Sequence, residues 1–191
     1  HSQNGDYFEK ILSKPLFIAE QNSAPVARGT AHHKFLQYCN FEQARASLDT
    51  EIDRLLNDGK LTQEQVDMID RKTLNEFLST KLIDRIIASQ LVMREKRFTA
   101  RLKPSVVFDE YKNVETDATV IIQGAVDLAF VEDGKLVIVD YKTDRIKDIT
   151  KLADLYKKQL DLYKSAMEQS EELIVKECIL CSIHLGSYIT V

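Results

Sequence analysis

Residues 124–144 constrain the fold more than any other stretch of this chain. Gly124-Ala125-Val126-Asp127-Leu128 and Leu136-Val137-Ile138-Val139-Asp140-Tyr141-Lys142-Thr143-Asp144 stand on either side of Glu132-Asp133-Gly134. An Asp-Gly pair between two apolar, β-branched runs is a hairpin signal. Strands are expected over residues 119–130 and 135–141, each carrying one carboxylate out of apolar surroundings. An unpaired carboxylate placed there is costly. Two of them can hold a hard divalent cation, and the nearby Lys142 can hold and activate a water.

An acid-x-Lys tripeptide means little alone, because this chain has five: Asp58-Gly59-Lys60, Asp70-Arg71-Lys72, Glu110-Tyr111-Lys112, Asp133-Gly134-Lys135 and Asp140-Tyr141-Lys142. The first and fourth are turn sequences. Asp70 to Lys72 falls on an expected helix and reads as a solvated face. Glu110 follows a β-branched run but lacks an upstream acid on a paired strand. Asp140 alone ends a buried run with Asp127 across a turn. On pattern alone, two readings weigh equally: a metal site, or carboxylates that cap a loop amide or pair with Lys142.

Upstream of the hairpin the pattern is helical. Thr30 is the expected N-cap of a helix over residues 31–39. Residues 41–57 carry apolar side chains at Phe41, Ala44, Leu48, Ile52 and Leu55, as one helix would. Thr62-Gln63-Glu64-Gln65 fits a capping box, and residues 74–88 continue helically with a break at Ser79-Thr80. Strands are expected over residues 91–102, 105–111, 175–185 and 188–191. The strongest helix covers residues 149–169. Its apolar stripe runs Leu152, Tyr156, Gln159, Tyr163 and Ala166, with Leu155 and Leu162 alongside. Gln159 thus sits on the buried face, one turn from Tyr163, and a buried amide needs partners. The pair could bond an active-site group, a DNA phosphate or the sheet itself.

The order of elements predicts an α/β (α+β) fold: a mixed central sheet flanked by helices, with an N-terminal helical annex. One domain is expected over residues 1–191, helical over about 1–89 and sheet-based over about 90–191. His1-Ser2 is read as an added tag or the start of an excised unit. The net charge of −4 argues against a nucleic-acid grip built on bulk electrostatics, although residues 94–103 and 142–158 are locally basic. No apolar run reaches membrane-spanning length and no leader opens the chain, so a cytoplasmic protein without a membrane partner is expected. Cys39, Cys178 and Cys181 are too few for a disulfide framework. Cys178 and Cys181 lie three apart on an expected strand, face opposite sides, and read as structural. Of the adjacent His32 and His33, about 100° apart on a helix, at most one can face the sheet.

Taken in order, these residues resemble the PD-(D/E)xK nuclease superfamily, in its RecB-like branch, and are close to the nuclease domain of bacterial helicase–nucleases. The matching elements are Arg28-Gly29-Thr30 with His33, Arg94-Glu95 with Phe98, Gly124 with Asp127-Leu128, Asp140 to Asp144, and Gln159 with Tyr163. They span residues 28–163. The resemblance implies a restriction-endonuclease-like sheet and His33, Asp127, Asp140 and the Tyr141 main-chain carbonyl as ligands of Mg²⁺ or Mn²⁺. Asp127, Asp140 and Lys142 would be catalytic, with Lys142 orienting the water. Gln159, Tyr163, Glu95, Arg28 and Thr143 would support the site or contact DNA. It further implies hydrolysis of single-stranded DNA during double-strand-break processing and recombinational repair. The helicase portion of the same parent polypeptide and a second helicase–nuclease subunit would be partners, since this chain has no Gly-Lys-Thr phosphate loop. Two alternatives remain: a catalytically silent DNA-binding or docking module with a nuclease-like fold, and a stand-alone repair or phage-type exonuclease.

Overall fold

The computed structural model describes residues 24–191, so His1-Ser2 and the first part of the expected helical region lie outside the described residues. Among the described residues six helices precede the sheet: α1 (Ala24–Tyr38), α2 (Phe41–Ala46), α3 (Leu48–Asn57), α4 (Gln63–Met68), α5 (Arg71–Leu78) and α6 (Lys81–Ala88). The capping box forms as expected, with Thr62 accepting from the Gln65 N–H at 3.2 Å and the Gln65 side chain accepting from the Thr62 N–H at 3.0 Å. The break at Ser79-Thr80 also forms.

Three expectations are corrected. Thr30 lies inside α1, not at its start. Residues 41–57 form two helices, because Ser47 is extended and its hydroxyl accepts from the Thr50 N–H at 3.4 Å. A side chain able to cap a new helix outweighs an apolar period running through it. Residues 105–111 form no strand; they make the short helix α7 (Pro104–Val107) and a 3-10 turn at Asp109–Tyr111. Pro104 at the first helical turn starts α7 where its missing N–H costs nothing.

The sheet has five strands in the order β1 (Val92–Leu102), β2 (Val120–Glu132), β3 (Lys135–Lys142), β4 (Val175–Ser182) and β5 (Ser187–Thr190). All neighbours are antiparallel except β3 and β4, which are parallel. The long helix α8 (Ile149–Glu171) makes the crossover that a parallel pair requires. At the β2–β3 turn, Asp133 and Gly134 both have positive φ, 53° and 71°, as the tight hairpin turn demands.

Two cores fill the two faces. Helices α1 to α6 pack on Leu128, Phe130, Val137, Val139, Tyr141, Ile179 and Cys181. Helix α8 packs on Phe98, Ile122, Val126, Ile138, Cys178 and Leu180. Cys178 and Cys181 therefore do face opposite sides. Along α8, Leu152, Gln159, Leu162, Tyr163 and Ala166 are buried, but Leu155 is 62% exposed, so the stripe is narrower than its apolar residues suggest.

The alternation of β1 and β2 slips by one residue at the same rung. Arg94 pairs with Leu128 and Lys96 with Val126, and Glu95 and Asp127 stand between these two rungs. Glu95 has a φ of 47°, a conformation side-chain-bearing residues rarely adopt. On β2 the even positions Leu128 and Phe130 face the helical annex, yet Val126 and Ile122 face α8. Asp127 is the pivot of that reversal.

Candidate active site

The slip leaves an opening between β2 and β3, and the acidic pair occupies it. The β2–β3 ladder extends to Leu128 opposite Val139. Beyond it, the Tyr141 N–H is accepted by Asp127 Oδ2 at 2.8 Å, so a side-chain carboxylate replaces the next strand's carbonyl. N–H and C=O of one residue in an extended strand point toward the same neighbour, which directs the Tyr141 carbonyl into the same opening.

His33 reaches the other oxygen of this carboxylate, with Nδ1 3.5 Å from Asp127 Oδ1. Its neighbour His32 is structural. His32 Nδ1 donates to the Arg28 carbonyl at 2.8 Å, and Nε2 accepts from the Asp70 N–H at 3.0 Å. That fixes a neutral tautomer, and burial lowers the His32 pKa accordingly. Helix α1 comes this close because Gly29 has no side chain: a β-carbon there would lie 2.8 Å from Thr143 Oγ1. Arg94 fixes the far end of α1. Its Nη1 donates to the carbonyls of Leu36, Gln37 and Cys39 at 3.2, 3.1 and 2.6 Å, and its guanidinium lies 4.5 Å from the Phe41 ring centroid.

Asp140 faces α8. Burial raises its pKa, Lys142 pulls it back, and Asp127 pushes it up further. Lys142 Nζ lies 2.8 Å from Asp140 Oδ2 and donates to Gln159 Oε1 at 3.0 Å. Gln159 Nε2 in turn donates to the Tyr163 hydroxyl at 3.0 Å, which settles where the buried amide finds its partners. The Tyr163 ring meets Phe98 edge-on at 5.7 Å. Phe98 lies across from Gly124, where a β-carbon would come within 2.6 Å of its ring.

One cleft of about 930 Å³ is lined by Arg28, His33, Glu95, Asp127, Asp140 and Lys142, together with Tyr141, Thr143, Gln159 and Tyr163. All the candidate site residues read from the sequence therefore meet in one place. The cleft also takes in Lys34, Arg145 and His184, to which sequence reasoning attached no role, and Asp144 and Tyr156, which it named only within a motif and an apolar stripe. Tyr156 was within its reach, since it precedes Gln159 by three on the same helix face.

The donors suit a hard cation. Asp140 Oδ2 is buried, with the Lys142 ammonium 2.8 Å away. No trio of His, Cys, Asp or Glu side chains among the described residues is gathered closely enough to hold a metal ion by itself. Mg²⁺ commonly keeps several waters and takes only one or two carboxylates, which the pair Asp127 and Asp140 matches.

This chain belongs to the PD-(D/E)XK nuclease superfamily, whose family model matches residues 7–184. It is 29% identical over 204 residues to an ATP-dependent helicase/nuclease subunit of Clostridium acetobutylicum, across 100% of this chain and 16% of that protein. It is 31% identical over 191 residues to the protein of the same name in Clostridium botulinum strain 657, across 97% of this chain and 15% of that one. The chain thus spans about one sixth of the length of the curated relatives it matches. The crystal structure of SSO0001 aligns with a TM-score of 0.37 at 15% identity, over 83% of this chain and 64% of that one. No helix among the described residues is long and apolar enough to cross a membrane.

Proposed function

We propose that this chain is a metal-dependent deoxyribonuclease domain, hydrolysing phosphodiester bonds of single-stranded DNA as the nuclease part of an ATP-dependent helicase–nuclease. Break-end processing and recombinational repair are the setting proposed for that activity. Its partners there would be the helicase portion of a longer polypeptide and a second helicase–nuclease subunit. The observation that carries the reading is the meeting of Asp127, Asp140, Lys142 and His33 in one cleft.

His33, Asp127, Asp140 and the Tyr141 carbonyl would hold Mg²⁺ or Mn²⁺. Bound there, the cation supplies Lewis acidity to a phosphate oxygen and lowers the pKa of a coordinated water. Lys142 orients the attacking water and stabilises charge developing on the phosphate. Gln159 and Tyr163 keep the ammonium in place. Arg28, Lys34, Arg145 and His184 along the cleft meet backbone phosphates, a grip that salt weakens.

The test is Mg²⁺-dependent degradation of single-stranded DNA by the wild type and by Asp127→Ala, Asp140→Ala and Lys142→Ala. Loss in all three variants is expected, and equal activity throughout would sink the proposal. The 2.8 Å contact between Lys142 and Asp140 also favours a second reading, a silent DNA-binding module whose site is closed by that ion pair. Calorimetric titration with Mn²⁺ separates them: a working site binds the cation and the aspartate variants do not.

A further inference from the structure

The Lys142 ammonium is held on a third side by an aromatic ring. Its Nζ lies 4.1 Å from the centroid of the Tyr156 ring, besides its contacts with Asp140 and Gln159. Tyr156 is itself anchored. Its hydroxyl donates to Asp144, at 3.3 and 3.2 Å from the two carboxylate oxygens, so α8 is tied to the segment that directly follows Lys142. Leu152, Leu160 and Ala166 on the same helix are wholly buried, whereas Tyr156 stays partly exposed at the cleft wall. Tyr156 packs against the core beneath α8, and its ring face is turned to a cation.

We propose that Tyr156 is a positioning residue for Lys142: the ring face fixes the ammonium, and the bond to Asp144 fixes the ring. The inference rests on the nuclease reading of the cleft, in which Lys142 acts on the water. Lysine has a flexible four-carbon stem and a point charge with no preferred plane. Asp140 and Gln159 constrain the ammonium from the sheet and from the helix. The ring closes the remaining side by attraction to the negative face of its π system, which needs no hydroxyl. The aromatic ring is therefore the part that matters for Lys142, and the hydroxyl matters only through Asp144.

Two measurements test this on the whole chain with Tyr156→Phe, Tyr156→Leu and Lys142→Ala. By NMR, the Lys142 Hε protons are expected upfield, shifted by the ring current, in the wild type and in Tyr156→Phe, and unshifted in Tyr156→Leu. In Mg²⁺-dependent degradation of single-stranded DNA, Tyr156→Leu should lower kcat about tenfold with KM changed less than about twofold, and phenylalanine should restore most of the rate. Unshifted Hε protons in the wild type, or a leucine variant with wild-type kcat, overturns the proposal. The wild-type spectrum decides even if the leucine variant fails to fold. Full activity in Lys142→Ala would instead remove the nuclease role of the lysine, while the NMR shift still reports whether the ring holds the ammonium.

Discussion

Gly124 stands directly opposite Phe98, and the absence of a β-carbon at Gly124 is what lets the Phe98 ring lie across the strand and meet Tyr163. From Tyr163 the contacts continue through Gln159 to Lys142 and Asp140. A glycine three residues before Asp127 thus bears on the depth at which α8 seats its amide. Adding a methyl there overpacks a well-filled core, which costs about 1–3 kcal/mol. Gly124→Ala is expected to lower stability by that amount in urea unfolding, and Phe98→Leu in the same chain should recover part of it. A Gly124→Ala protein as stable as wild type would mean that the ring does not lie there.

Gly29 makes a comparable approach to Thr143, but from a helix interior, where alanine is intrinsically better than glycine by about 1 kcal/mol. The two effects oppose each other. Gly29→Ala alone should be neutral or destabilising, because the new methyl meets Thr143 Oγ1. In a Thr143→Ala background the same change should stabilise by up to about 1 kcal/mol. Additive single and double variants in thermal melts would contradict the contact.

Glu95 offers a test of backbone strain. Valine at positive φ is strongly disfavoured, whereas asparagine visits that region more readily. Both substitutions remove the glutamate's own contacts equally. Glu95→Val should therefore be less stable than Glu95→Asn by about 1–2 kcal/mol, the reverse of the usual preference in a strand. Chemical denaturation of the pair checks it.

At the far end of the sheet, Arg85 bonds Glu132 through two donors at 2.8 Å each and also contacts Glu177, while Lys176 reaches Glu132 at 2.7 Å. Hydrogen bonds from Arg85 first, then Lys176, lower the Glu132 pKa to about 2. The folded state therefore prefers the ionised carboxylate. Its stabilisation is complete above the ordinary glutamate value and is lost as pH falls from there toward about 2. Since Glu132 is partly exposed, about 1 kcal/mol is expected. Glu132→Gln should be less stable than wild type at pH 7, with the gap closing by about pH 2 in melts across that range.

Much of this was legible because the signals were local. The Asp133-Gly134 turn, the Thr62–Gln65 capping box and the helix break at Ser79-Thr80 are each written within a few residues. Gln159 betrayed its role by standing on an apolar face. The misreadings arose where two local signals competed, as at Ser47, or where a short β-branched run hid a proline start, as after Pro104. What no local pattern carries is Arg94: the three carbonyls it caps lie at the end of α1 and just beyond it, more than fifty residues earlier in the chain. The exposure of Leu155 was likewise invisible, because the width of a buried stripe depends on what the helix lies against.

Arg94 and Phe98 are four residues apart in one strand, and in a regular pleat they would point the same way. The slip at Glu95 sends Arg94 to the helical annex and Phe98 to α8. One strand therefore holds both walls of the cleft, and its two attachment points are joined by continuous backbone that kinks at Glu95. That span is covalent. It works as a ruler between His33 and Gln159 that repacking of either core cannot stretch.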